Sequence, residues 1–174
     1  MRAQPLTLEQ LASHTLACVA RRQRDAARAS GLAAFIPAIT PRYSEPLHLA
    51  QLIDKMEDAQ GQPIRLVVST PPRHGKTETL LHGLAWAIAT HPDRTHAYVS
   101  YAAEVARSKS RKARILALSA GVTLADDAAK LEEWRTVAGG GLLATGIGGP
   151  PGTRAITNTC VPAGPAVPAA AGSS

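Results

Sequence analysis

Eight consecutive residues, Thr70, Pro71, Pro72, Arg73, His74, Gly75, Lys76 and Thr77, have the types and order suited to holding a phosphate chain. Such a site needs a bend whose backbone N–H groups point inward, an ammonium that reaches the outer phosphates, and a hydroxyl for Mg2+. Gly75 supplies the conformational freedom, Lys76 the charge and Thr77 the hydroxyl. The general pattern is G-x-x-x-x-G-K-[ST], and Thr70 stands where its first glycine belongs. Pro71 and Pro72 each fix their own φ, which stiffens the bend that the missing glycine would have permitted. A Gly-Lys-Thr triplet also arises by chance, and the plain alternative is a strand-to-helix turn with an exposed lysine. Context decides between the two, because a phosphate loop follows a strand and opens a helix.

A second group of side chains could meet a polyanion. Arg107, Lys109, Arg111, Lys112 and Arg114 put five cations in eight positions, with the three arginines at i, i+4, i+7 on one helical face. Binding of nucleic acid by such a face would be sequence-independent and strongly salt-sensitive. The competing reading is a face that simply keeps its helix wet. Turnover of a nucleotide needs carboxylates as well, one to hold Mg2+ through water and one to orient the attacking water. Only Val122 to Asp127, VTLADD, has roughly the shape of a strand ending in acids, and Gly121 before it and AAKLEEW after it count against that role.

The elements that must position these groups read as follows. Thr7 and Gln10 form a capping box for a helix over about Leu8 to Ala29, with Gly31 closing it. Leu8, Leu11, Ala12, Thr15 and Val19 share its apolar face, and its far end, RRQRDAAR, is either a solvated or a DNA-facing basic surface. A helix over about Glu45 to Gln60 follows Ser44 as cap, carries Leu49, Leu52, Ile53 and Met56 on one stripe, and ends at Gly61. Ile64 to Ser69, IRLVVS, reads as a strand inside a parallel sheet. TETLLHGLAWAIATH then reads as a helix that buries Leu80, Leu81, Leu84, Ala85 and Ile88. A strand over His96 to Tyr101 and a helix over about Ala102 to Leu118 follow, and Trp134 opens a β-hairpin through Gly139, Gly140 and Gly141. Strand, loop, helix, strand, helix is the βαβ order of an α/β domain.

The 174 residues suffice for one domain with a real core. Hydrophobic residues at 45% and charged ones at 18% fit a globular chain, and aromatics at 3% leave the core to Leu, Val, Ile and Ala. Lysines and arginines outnumber acids 19 to 13, a net charge of +6 that favours polyanionic partners, nucleic acid first. Cys18 and Cys160 have neither disulfide-framework nor zinc-ligand spacing. Glu9, Ser13 and His14 interrupt the apolar run a signal peptide requires, and no stretch approaches membrane-span length, so the expected location is cytoplasmic. From Ile156 to Ser174 no residue is charged and Pro, Ala, Gly and Ser dominate, which is the composition of a disordered tail.

Taken together, STPPRHGKTE, HPDRTHAYVSYAAEVARSKSRKAR and EEWRTVAGGGLLATGIGGP resemble consecutive segments of the ATPase domain in the large terminase subunit of tailed bacteriophages. The resemblance covers roughly residues 40 to 150. It implies a P-loop NTPase-like α/β fold with a partial parallel sheet and flanking helices. The organisation would be an N-terminal helical segment (1–43), a partial ATPase domain (44–150) and a Pro/Ala/Gly-rich tail (151–174). It implies ATP and Mg2+ as cofactors, with residues 70 to 77 around the triphosphate, Thr77 on Mg2+ and Arg73 as a catalytic arginine at the γ-phosphate. The family also places a histidine near the nucleotide, ahead of the loop strand, and His48 sits about there; its plain alternative is an ordinary, partly buried histidine. Double-stranded DNA, the small terminase subunit and the portal are the implied partners, within a bacterial host cell, and homo-oligomers are admitted.

The match departs after about Gly149. The family's apolar strand ending in paired acids is replaced here by PGTRAITNTCVPAGPAVPAAAGSS, an ending that reads as a frame shift or truncation, and the nuclease domain does not follow. The expectation is therefore nucleotide binding with little or no hydrolysis. Two alternatives stand beside it: a non-catalytic DNA-binding or assembly module that uses the basic helices, and a helicase-like P-loop ATPase, against which the lack of downstream helicase motifs counts.

Overall fold

The structure is a computed structural model that describes residues 7–43, 47–126 and 130–147. It is an α/β arrangement of five α-helices and one small mixed sheet among those residues. The helices are α1 (Leu8–Ala29), α2 (Leu32–Ile39), α3 (Ala50–Gly61), α4 (Lys76–Thr90) and α5 (Ala103–Ser119), with a single 3-10 turn at Leu47–Leu49. The strands are β1 (Thr95–Ser100), β2 (Glu133–Arg135) and β3 (Gly141–Gly146), in the order β1-β3-β2.

Local chemistry explains most boundaries. The Thr7 hydroxyl accepts from the Gln10 amide while the Gln10 side chain accepts from the Thr7 amide, so the capping box starts α1 at Leu8 as expected. Gly31, at φ 109°, separates α1 from α2 in a conformation that L side chains rarely adopt. No local side chain caps α2; instead the Glu57 carboxylate of α3 accepts from the Leu32 amide at 2.5 Å. The sequence gives little sign of α2, whose eight residues include Pro37, and it forms because Leu32, Phe35 and Ile36 are all buried in the core. The helix expected over 45 to 60 is shorter: the 3-10 turn precedes α3, and Leu49, Leu52 and Ile53 are buried as the stripe required. Its proposed cap, Ser44, lies outside the described residues, as do Asp127 and the whole tail.

The sheet is a βαβ unit with a hairpin added. β1 pairs with β3 in parallel across α5, from Thr95↔Gly141 to Ser100↔Gly146, and β2 pairs with β3 antiparallel, with Trp134 opposite Leu142. The hairpin predicted at Trp134 and its glycines is present. Gly139 has φ 93° and Gly141 φ 153°, and a Cβ on Gly141 would lie 2.1 Å from the Trp134 carbonyl oxygen, so no side chain fits there. Leu81, Ala85 and Ile88 of α4, Ala113 and Leu116 of α5, Trp134, Leu142 and the α2 residues form one continuous core.

Two expectations are corrected. Residues 64 to 69 are not a strand: they form no ladder, and Leu66 and Val67 stand 46% and 96% exposed. Their β-branched run makes them able to pair, but a strand is made by its neighbours, and β1 offers its ladder to β3 alone among the described residues. The apolar face of α1 is also not buried: Ala12, Thr15 and Val19 are exposed, and burial on this helix begins at about Arg24 among the described side chains. Among the described residues no helix is long and apolar enough to cross a membrane.

Candidate functional site

The loop from Thr70 to Thr77 is sharply bent. The chain arrives without regular structure, turns at Pro72 and Arg73, and enters α4 at Lys76. Arg73 has φ 65°, the one non-glycine residue with positive φ among those described, and Gly75 has φ 81° as the N-cap of α4. A left-handed non-glycine residue costs on the order of 1 kcal/mol, which the surrounding bend must offset.

The bend leaves donors open. The first intrahelical bond of α4 runs from the Thr79 amide to the Gly75 carbonyl at 2.9 Å, and no side chain caps the helix. The amides of Lys76, Thr77 and Glu78 therefore face out of the helix end without a helical acceptor, at the positive end of its dipole. Lys76 and Thr77 are half-buried, Arg73 is exposed, and none of the three side chains has a hydrogen-bond or ion-pair partner among the described residues. Pro71 and Pro72 are exposed, while the Thr70 hydroxyl is buried and has no partner among the described residues.

His48 is brought to the loop. Its Nε2–H donates to the His74 carbonyl at 3.1 Å, and the two rings meet edge to face at 5.6 Å. His74 in turn donates from Nδ1 to the Pro72 carbonyl at 2.9 Å, so each carbonyl acceptor fixes one tautomer. The loop is thus braced by imidazoles on its own backbone.

Residues the sequence does not single out anchor the base of the site. The buried His82 donates from Nδ1 to the Glu78 carbonyl at 2.9 Å and accepts at Nε2 from the Thr40 hydroxyl at 3.0 Å. Its ring stacks on Tyr43 at 4.9 Å, and the Tyr43 hydroxyl bonds the Thr79 hydroxyl at 2.9 Å. The first two turns of α4 are fixed in this way to the segment after α2. Glu78 itself pairs with Lys112 of α5, Oε2 to Nζ, at 2.5 Å. Helical spacing around His82 identifies an α4 core position but not Thr40 or Tyr43 as its partners, because both come from a distant part of the chain.

The five cations of α5 do not form one surface. At 100° per residue, Arg107, Arg111 and Arg114 fall within about 60° of arc, while Lys109 and Lys112 lie on the far side, centred about 160° away. Arg107 pairs with Glu132 through Nε at 3.0 Å and through a second, shorter contact, and Lys112 is engaged by Glu78. Lys109, Arg111 and Arg114 have no ion-pair partner among the described residues. At the basic end of α1, where Arg21 and Arg22 are exposed, Arg24 donates to the Ser119 carbonyl at 3.0 Å and Arg28 to the Ala89 carbonyl at 3.3 Å, each at the carbonyl end of a helix. Such placement of a cation is favourable to the helix dipole. The described part of the acidic candidate, residues 122 to 126, lies on the outer side of β2: Leu124 bridges Thr136, the Ala125 amide donates to the Arg135 carbonyl, and Asp126 is exposed beyond it.

Compared with known proteins, the chain matches no family model, no curated protein and no solved structure.

Proposed function

We propose that residues 70 to 77 bind the triphosphate of ATP with Mg2+, and that the chain is the nucleotide-binding part of a DNA-packaging motor of the terminase type, with a P-loop NTPase-like fold. One observation carries the reading: α4 opens without a side-chain cap, behind a bend made by Arg73 and Gly75, with the Lys76 ammonium, unpaired among the described residues, at its first position. Open amides at a helix N-terminus, flanked by an unengaged ammonium, suit a phosphate chain. Lys76 would face the outer phosphates, the Thr77 hydroxyl the Mg2+ ion, and Arg73 the γ-phosphate, while His48 holds the loop backbone through the His74 carbonyl. ATP and Mg2+, when bound, supply the phosphoanhydride and the counter-charge. The loop opens a helix, and the order α4, β1, α5, β3 with a parallel β1–β3 pair supports the finer fold reading, whereas the strand that such a loop follows is not formed by residues 64 to 69.

Binding without turnover is the form of the proposal. Among the described residues Glu78 is held by Lys112 and Asp126 stands outside β2, so neither is offered as the group that orients an attacking water. A DNA-binding module that leaves the loop empty is the weaker reading, because two of the five α5 cations are engaged within the chain. Double-stranded DNA, a small terminase subunit and a portal remain the partners proposed, the first through Arg111 and Arg114. The test is thermal unfolding with and without Mg-ATP. Nucleotide at about 100 times its Kd should stabilise the chain by about 2.7 kcal/mol, and Lys76→Ala should abolish the effect. Stabilisation that survives Lys76→Ala would overturn the assignment, and steady release of phosphate by the purified chain would overturn binding without turnover.

A further inference from the structure

We infer that Lys112 is a positioning residue for the phosphate site, because its ion pair with Glu78 holds a carboxylate away from the open N-terminus of α4. This rests on the reading that residues 70 to 77 take the phosphates of ATP. Glu78 is the third residue of α4, whose N-cap is Gly75. From that position a glutamate reaches back to the N-cap amide, as in a capping box, and a negative charge in the first turn is drawn to the positive helix end. Left to itself, Glu78 would occupy the Gly75 amide, one donor of the loop, and set a like charge beside the phosphate.

In this chain it does neither. No side chain caps α4, and Glu78 Oε2 lies 2.5 Å from Lys112 Nζ. The other group near the carboxylate is His82, whose Nδ1 stands 3.9 Å from Oε1 but donates its proton to the Glu78 carbonyl. Lys112 is therefore the close cationic partner of Glu78 among the described residues, and it reaches across from α5, where it lies on the flank away from the arginines. The pair keeps the Gly75 amide free of the Glu78 side chain and neutralises the carboxylate that adjoins the open amides of Lys76, Thr77 and Glu78. Removing the lysine alone returns Glu78 to the helix end, whereas removing both side chains leaves that end open again.

The experiment is titration of the full chain with a fluorescent ATP analogue and Mg2+, alongside thermal unfolding of each variant. Lys112→Ala should weaken binding about tenfold, the size of a helix-end charge effect in a partly buried setting. Lys112→Met, which keeps the aliphatic stem, should do the same if the alanine variant folds poorly. Lys112→Arg should bind as the unaltered chain does, and Lys112→Ala combined with Glu78→Ala, which leaves no acceptor at that position, should return affinity to within about twofold of it. Affinity unchanged in Lys112→Ala and Lys112→Met would overturn the inference alone, provided Lys76→Ala still abolishes binding. A double variant as weak as the single would overturn it too, since Lys112 would then be touching phosphate or holding the fold. Failure of the unaltered chain to bind would overturn the phosphate reading and this inference with it.

Discussion

At the scale of single residues, the chain separates groups with settled partners from groups held open. Lys76, Thr77 and Arg73 are in the second class, and all three were legible in the sequence, because the phosphate-loop pattern is local and its glycine and lysine are adjacent. Glu78, Tyr43 and His82 were not, since what gives each its role is a partner 34 to 42 residues away. His96 on β1 shows a different residue-scale effect. Burial first, then the charges of Arg94 and His91, push its pKa down to about 4, and its Nε2 has no partner among the described residues. The imidazole is therefore neutral in the fold but takes up a proton in the unfolded chain below about pH 6.5. Its contribution to stability is full above that pH and is lost as pH falls from about 6.5 towards 4, by at most about 3 kcal/mol. Denaturant unfolding across that window should show the slope, and His96→Leu should flatten it; an unchanged slope in the variant would show that His96 is not the group responsible.

At the scale of elements, what could be read depended on whether the signal was local. The ends of α1, the start of α4 at Lys76, the β1 and α5 pair and the hairpin after Trp134 all follow from caps, glycines and periodicity. The hairpin yields a test: Gly141→Ala places a methyl against the Trp134 carbonyl and forces backbone to move, so stability should fall by about 2 kcal/mol or more. Circular dichroism melting would measure it, and an unshifted melt would contradict the close approach. Trp134→Phe loses the indole bond to the buried Ser110 hydroxyl at 3.1 Å and should cost about 1 to 3 kcal/mol, because the hydroxyl is left unpaired. Residues 64 to 69 and α2 escaped the sequence reading for opposite reasons. The first has strand composition but no neighbouring strand, and the second has a proline in its interior but three buried apolar side chains that fix it. Pairing and burial are set by distant parts of the chain, which local composition does not record.

At the scale of the whole molecule, the sheet is small and one of its edges is open. β1 pairs on one side only among the described residues, Val99 on it is exposed, and Val67 and Leu66 lie exposed on the segment ahead of the loop. An unpaired edge next to exposed apolar residues favours association. Sedimentation should therefore show concentration-dependent self-association, and Val67→Lys with Val99→Lys should reduce it; monodisperse behaviour of the unaltered chain at high concentration would contradict this. The α/β class was legible from the alternation of helix and strand. The number of strands was not, since residues 64 to 69 carry strand composition but join none of the three strands described, and the partial sheet is mixed rather than wholly parallel.

The account stands on Mg-ATP reaching the open end of α4, and calorimetric titration measures that directly. The unaltered chain should bind about one Mg-ATP with saturable heat, and Lys76→Ala, though folded, should give none. Equal heats from both proteins, or no saturable heat from the unaltered chain, would contradict the claim that Lys76 and the loop amides form a phosphate site.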